Sequence, residues 1–405
     1  MGGMSERMRW ASALSEETDT RKAAQDAASR VAADLGGVPP DLALVFFSTH
    51  HRANPADVAE ALAETLLPEH VIGCSAGGII GAGREVEERP AISVTAARLP
   101  GVTVHPFRFD DADLPDEDAA PRAWEALLGV PASQKPHFLV LADPFSFPAD
   151  LLLRGLDYAY PRSAKAGGLA SAGERPGQNA LLCDGDLLRR GAVGVALTGA
   201  IQVDTVVAQG CRAIGEPMKI TRASGNFVVE LDGRPPLAVL KDLLPQLSER
   251  DQKLARSSLF LGVGTDPLDE DPEAPEYLIR NILGVSSDNG ALAVGELVRV
   301  GQAVRFHLRD ALSSSEDLDR LMARYAADLI AREGAAHPAG ALLFSCLGRG
   351  QNLYGRPDHD TDLFREKLGD IPLGGFFANG EIGSVRGSTH LHGFTSSFAL
   401  FRDPS

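Results

Sequence analysis

The sequence is short of positive charge. Asp and Glu number 55 against 39 Lys and Arg, a net charge of −16 at pH 7. Nucleic-acid binding depends on cations that neutralise phosphates. No basic stripe breaks the acidic background, so nucleic acid and anionic membrane surfaces are not expected partners. Cysteine is scarce too. The four present are Cys74, Cys183, Cys211 and Cys346; none forms a C-x-x-C pair. Their irregular spacing offers neither a zinc site nor a disulfide framework, and free thiols in a reducing cytoplasm are the expectation. No apolar run approaches the ~18 residues of a membrane span. The stretch from Met1 to Trp10 lacks the apolar core of a signal peptide. The acidic runs 110–118 and 266–276 hold proline and few apolar residues. They read as solvated loops without calcium-loop spacing.

What is present is ordinary globular material in repeating order. The 405 residues are 44% hydrophobic and 23% charged, enough for two or three domains. Ala23, Ala24, Ala27, Val31, Ala32 and Leu35 recur at helical spacing before Gly36-Gly37, which predicts a first helix. Residues 42–47 form a wholly apolar run, the pattern of a strand buried on both faces. Asn54-Pro55 then opens a helix carrying Val58, Leu62 and Leu66. The same order returns at 138–141 followed by a helix over 149–160, and at 341–344 followed by a helix near 362–368. Each unit delivers a glycine-framed segment of the form Gly-x-x-[Ala/Ser]-x-Gly, beginning at Gly73, Gly168 and Gly375. This predicts one β-α-β unit used three times.

Antiparallel hairpins extend these units, with strands expected at 91–96, 102–109, 179–183, 193–198 and 202–208. A second pattern opens near Ile214-Gly215. It has strands at 227–231, 259–263, 278–285, 292–298 and 303–308, and a helix capped by Ser315 and stopped by Gly334. The fold class expected is α/β (mixed α+β), with quasi-repeated β-α-β units and sheets flanked by outer helices. The boundaries expected are 1–38 for an N-terminal helix, 39–214 for a first domain and 215–405 for a second.

Several segments carry candidate chemistry. Gly73-Cys74-Ser75-Ala76-Gly77 fits G-x-S-x-G, which needs a helix straight after the serine. Gly77, Gly78, Gly81 and Gly83 oppose that helix at ~1 kcal/mol each, and the other reading is close backbone approach. Cys346 ends a buried strand just before Gly348-Arg349-Gly350, a junction where ligands settle in α/β sheets. Arg349 offers a fork for a carboxylate; the alternative is a pair with a nearby acid. In Asn379-Gly380-Glu381, Glu381 could take a ligand amine and Asn379 orient it; the alternative is a turn. His390 and His392 share a strand face without a third metal ligand, so no metal or cofactor is expected.

These segments resemble the FIST family. The carrying residues are His70-Val71-Ile72-Gly73-Cys74-Ser75-Ala76-Gly77-Gly78, Ala166-Gly167-Gly168 and Gly194-Val195-Ala196-Leu197 in the first half. In the second half they are Phe344-Ser345-Cys346-Leu347-Gly348-Arg349-Gly350, Gly375-Phe376-Phe377-Ala378-Asn379-Gly380-Glu381-Ile382-Gly383 and His392-Gly393-Phe394-Thr395. Ser384 departs from the proline often found in the family. The resemblance covers about residues 40–400 and implies a bacterial sensory protein of signal transduction. It implies a small polar ligand, with amino acids the class proposed, and an unidentified signalling protein as partner. The ligand-binding residues expected are Ser75, Gly77, Gly78, Ser171, Cys346, Arg349, Gly350, Tyr354, Asn379, Glu381 and His392. A hydrolase using Ser75 or Cys346 as nucleophile and a non-catalytic interaction adaptor are the alternatives.

Overall fold

The computed structural model describes residues 7–116, 118–264, 277–333, 337–385 and 387–404. The acidic segment 266–276, the helix stop at Gly334 and position 117 of the first acidic run lie outside them. Along the chain one order of elements is used three times. The first pass is β1 (Arg9–Ser15), α1 (Thr20–Asp34), β2 (Leu42–Ser48), α2 (Pro55–Thr65), β3 (His70–Ala76), the hairpin β4 (Gly78–Gly81) and β5 (Arg84–Glu87), and β6 (Ile92–Arg98). The second is β7 (Val102–Phe109), α3 (Pro121–Leu128), β8 (His137–Ala142), α4 (Ala149–Ala159), β9 (Lys165–Leu169), the hairpin β10 (Leu181–Cys183) and β11 (Asp186–Leu188), and β12 (Ala192–Gly199). The third starts with β13 (Gln202–Ala208) and is then interrupted. The interruption holds β14 (Cys211–Ser224), β15 (Phe227–Leu231), α5 (Pro236–Leu243), α6 (Glu249–Leu254), β16 (Leu259–Gly264), β17 (Tyr277–Val285), β18 (Leu292–Val294) and β19 (Ala303–Arg309). The pass resumes with α7 (Ala311–Glu333), β20 (Gly340–Cys346), α8 (Gly350–Tyr354), α9 (His359–Leu368), β21 (Leu373–Ala378), the hairpin β22 (Glu381–Val385) and β23 (Ser388–His392), and β24 (Ser396–Arg402).

The β-α-β repeat is present: β2 with β3, β8 with β9, and β20 with β21 are parallel pairs. Each sheet is completed by another pass. The orders are β1-β6-β2-β3-β10-β11, β7-β12-β8-β9-β22-β23 and β13-β24-β20-β21-β4-β5. The hairpin of the first pass thus extends the sheet of the third, that of the third the second, and that of the second the first. Each pass gives one hairpin and takes one. The inner faces meet in a single apolar core, with Leu44, Phe46 and Ile72 from one sheet, Leu139 and Leu141 from another, and Phe344, Phe376 and Phe401 from the last. Helices cover outer faces. The alanine stripe of α1 packs with Val58 and Leu62 of α2 over Val45 and Val94, and Trp124 of α3 lies against Leu152 and Leu156 of α4.

Two compact units result: Met1–Ala208 with Asp319–Ser405, and Gln209–Leu318. In the second, β14-β15-β18-β17-β16-β19 close a barrel around Val228, Leu261, Leu292 and Phe306. These units cut the chain elsewhere than at 38/39 and 214/215. Residues 1–38 hold a strand as well as a helix, since β1 pairs along its length with β6. Ile214-Gly215 lies inside β14, where the ladder with β19 shifts register between Ile214 and Met218. Gly215 at φ +63° there makes a bulge, not a boundary. Two further expectations are corrected. The helix expected to start at Ser315 starts at Ala311, because the Asp310 carboxylate accepts the Ser313 N–H at 2.8 Å. The strand expected over 292–298 stops at Val294.

Strand register also corrects the repeat frame. Gly73 pairs with Val45, Gly167 with Val140, and Gly375 with Leu343. The equivalent glycine of the second unit is therefore Gly167, one residue before the Gly168 expected. A Cβ at Gly73, Gly167 or Gly375 would fall 2.2, 1.8 or 1.9 Å from the opposing carbonyl oxygen. Gly375 also sits at φ +145°, so an alanine there meets backbone on one side and strain on the other. Gly375→Ala should cost at least about 3 kcal/mol in urea unfolding. Gly393→Ala, where a Cβ meets nothing within 4 Å, should stay within about 1 kcal/mol of wild type.

Candidate functional site

The three glycine-framed strand ends converge. Ser75, Leu169 and Phe377 each stand two positions beyond the paired glycine, and Gly77, Ser171 and Asn379 two beyond those. Ser171 donates its N–H to the Ser75 carbonyl at 3.2 Å, and Asn379 donates its N–H to the Leu169 carbonyl at 3.0 Å. The third bond of this set is bridged. Gly77 donates its N–H to Ser171 Oγ at 2.9 Å, and that hydroxyl donates to the Phe377 carbonyl. The strand ends thus form a ring of backbone bonds closed by one serine side chain. The ring is tightly packed: a Cβ on Gly77 would meet the Leu347 side chain at 2.6 Å, and one on Gly78 the Phe377 ring at 2.6 Å. Asn379 is exposed beside it.

Ser75 does not sit on a nucleophile elbow. Its strand is followed by another strand, β4, and its buried hydroxyl accepts the Ala180 N–H at 2.9 Å. The glycines that oppose a helix in the sequence leave the backbone free to pair in a sheet instead.

Arg349 departs from its expected role as a free fork. It is wholly buried. Its Nε donates to Asp360 Oδ2 at 3.0 Å and its Nη2 to Asp360 Oδ1 at 3.3 Å and to the Tyr354 hydroxyl at 2.5 Å. Nη1 donates to the Phe394 carbonyl at 3.3 Å. A carboxylate of the chain itself therefore occupies the place proposed for a ligand's. Asp360 is held in turn by the hydroxyls of Ser345 and Ser396 and by His359, whose Nδ1 lies 2.9 Å from Oδ1. Burial opposes ionisation of both partners. Their mutual attraction overcomes it, holding the Asp360 carboxyl well below the usual carboxylate range and the guanidinium above its own. The Tyr354 ring stacks on His359 with centroids 3.4 Å apart. The stretch after Cys346 runs into the short helix α8. Its Gly350 backbone lies against Glu87, which accepts the Gln351 N–H at 2.7 Å. Asp360 escaped sequence reading, although its helical spacing to Leu363 and Phe364 places a carboxylate on a buried stripe, where a charge needs a partner.

Glu381 is the buried acid of the site. Its Oε2 accepts the Thr395 N–H at 3.0 Å and the Thr395 hydroxyl at 2.5 Å, while Oε1 has no hydrogen-bond partner among the described residues. Burial pushes its carboxyl up to about 8. Thr395, Arg349 and the Cys346 thiol pull the other way without cancelling that. Cys346 is half-buried beside it. His392 faces Glu381 across the β22–β23 ladder, its Nε2 lying 3.1 Å from the Gly383 carbonyl. Glu85 was missed as well. It accepts the Thr361 N–H at 2.9 Å, and burial with repulsion from Asp360 pushes its carboxyl up to about 8.

The site residues up to Glu381 lie in segments that two family models match, the FIST N domain over residues 41–234 and the FIST C domain over residues 236–384, while His392 and Thr395 follow the second match. The chain belongs to the FIST family. FIST domains are sensory domains of signalling that bind small ligands. An uncharacterised FIST relative, Rv0628c of Mycobacterium tuberculosis, is 38% identical over 398 residues, 98% of this chain and 100% of its own. Another, Mb0898c of Mycobacterium bovis, is 38% identical over 385 residues, covering 95% and 96%. An F-box/LRR-repeat protein of Arabidopsis thaliana is 27% identical over 116 residues, 29% of this chain and 22% of its own. Among solved structures, a cyanuric acid hydrolase is similar across 98% of this chain and 100% of its own, with 10% identity and a TM-score of 0.35. Among the described residues no helix of this FIST protein is long and apolar enough to cross a membrane.

Two outcomes follow from the buried charges. Arg349→Met leaves Asp360 buried without its cation and should cost about 3–5 kcal/mol in chemical denaturation. A carboxyl whose pKa is higher in the folded than in the unfolded chain stabilises the fold fully below the unfolded value. For Glu381 that contribution fades as pH rises from 4.5 to about 8, with a slope of at most about 1.4 kcal/mol per pH unit. Glu381→Gln stays neutral, so its stability should vary less with pH across that window than the wild type's. An unaltered slope would mean that Glu381 titrates like an ordinary carboxyl.

Proposed function

We propose that this protein is a bacterial cytoplasmic sensor for a small amino-acid-like metabolite, which it recognises at the strand ends of its three-pass unit and reports to a signalling partner. The observation that carries this reading is the unpaired Oε1 of Glu381, buried within a segment of the family signature and next to the half-buried Cys346. A buried oxygen without a partner costs about 1–3 kcal/mol, and a ligand amine would relieve that cost. The raised pKa makes binding a protonic event: an arriving ammonium group favours the ionised carboxylate, so uptake releases a proton. Arg349 then acts as a positioning residue. Its pair with Asp360 fixes Tyr354 and the end of β20, and it helps hold Glu381. Four cysteines, none of them in a disulfide, support a reducing compartment, and the mycobacterial relatives support a bacterial setting.

A thermal-shift screen of the amino acids tests this. A ligand at 100 times its dissociation constant adds about 2.7 kcal/mol, a visible rise in Tm. At least one amino acid should raise Tm in the wild type and fail to do so in Glu381→Gln. Equal shifts in both proteins for every amino acid that raises Tm would remove Glu381 from the site, and no shift from any amino acid would remove the ligand class.

A further inference from the structure

A recess lies apart from the strand-end ring, where the β4–β5 turn meets the C-terminal end of α9 and the run into β21. Its volume is about 220 Å³. A dry cavity of about 150 Å³ is enough to admit benzene. The recess has an apolar floor and a rim of both charges. Phe364 and Leu373, nearly fully buried, line it. Arg365 and Asp370, both exposed, stand at its edge. Arg365 has half its fork engaged, with Nη2 donating to Asp362 at 2.5 Å. A Cβ built on Gly83 would lie 3.5 Å from the other nitrogen, Nη1, so Nη1 reaches over the turn that forms one wall. The negative end of the α9 dipole adds to Asp370 on the cation-favouring side.

Thr361 is the independent sign of a ligand. It lines the recess, it is fully buried, and its hydroxyl has no hydrogen-bond partner among the described residues. Its N–H is satisfied by Glu85, so the fold has no use for that hydroxyl. Threonine at a buried site without a partner is a cost that valine of the same shape would not carry.

The geometry points to a second small-molecule site here, for a zwitterion with an apolar side chain. The carboxylate meets Arg365, the ammonium meets Asp370 and the α9 carbonyl end, and the side chain lies on Phe364 and Leu373. Thr361 supplies the one buried hydrogen-bonding group. The inference goes beyond the strand-end reading and shares no residue with it.

Binding of L-phenylalanine to the full chain, followed by calorimetry beside 3-phenylpropionate and 2-phenylethylamine, tests it. Each control keeps the apolar body and lacks one charge. L-Phenylalanine should bind about tenfold more tightly than either control, the worth of a charged hydrogen bond. Arg365→Gln should erase its advantage over phenylethylamine, and Asp370→Asn its advantage over phenylpropionate. Thr361→Val should weaken binding while leaving Tm unchanged or higher, which a purely structural threonine would not do. Glu381→Gln should leave all of this intact, so the two sites fail separately. The site is overturned if phenylalanine binds no better than the two controls, or if Arg365→Gln and Asp370→Asn both leave its affinity within twofold.

Discussion

The strand-end ring is where the three passes of the chain become one body. Each pass alone is a β-α-β unit with an unfilled sheet edge, and each fills that edge with a hairpin from another pass. For the exchange to close, three strands must deliver their ends to one place, and backbone must approach backbone more closely than a side chain permits. The glycines at 73, 167 and 375 meet that demand. The ring of bonds beyond them records the closure: two direct N–H to carbonyl contacts and one carried by the Ser171 hydroxyl. An exchange of this kind is non-local, so no single pass is complete without the others, and the common core of the three sheets follows from it.

Beside the ring lies a concentration of buried charge that packing alone does not require. Arg349 and Asp360 neutralise each other, with Ser345, Ser396, His359 and Tyr354 taking up their remaining capacity. Such a pair gains little net stability over apolar residues of like volume, since desolvation offsets attraction. What it secures is position, because the guanidinium and the carboxylate are each held by several partners from different elements. Glu85 and Glu381 flank it as carboxyls that burial drives towards the neutral state. Each of these two carboxyls keeps one buried oxygen without a hydrogen-bond partner among the described residues, Oε2 of Glu85 and Oε1 of Glu381.

Much of the architecture was legible. The apolar runs at 42–47, 138–141 and 341–344 are strands, the helices after them are present, and β13 and β15 have the bounds read from the sequence. Errors fell where one local pattern serves two structures. Gly167-Gly168 offers two frames for the repeat, and only the register with Val140 selects between them. Ile214-Gly215 reads as a boundary because glycine breaks patterns, yet it bulges a continuous strand. Three serines at 313–315 obscure the cap that Asp310 provides. At the site, Arg349 was found but its partner was not. Pairing between residues on separate elements leaves no trace in local spacing, apart from a carboxylate at helical intervals from Leu363 and Phe364.

The class of the fold, the threefold use of one unit, the glycine-framed segments and the family could all be read from the order of residues. All of these are carried by periodicity and short-range pattern, which a chain expresses wherever it runs. It took the folded chain to show which hairpin completes which sheet, that a barrel interrupts the third pass, and that Arg349 is engaged by Asp360 while one oxygen of Glu381 has no partner among the described residues. Those outcomes depend on which distant groups share a buried space, where the absence of water makes each polar atom's partner a matter of kilocalories and leaves the local sequence silent about who that partner is.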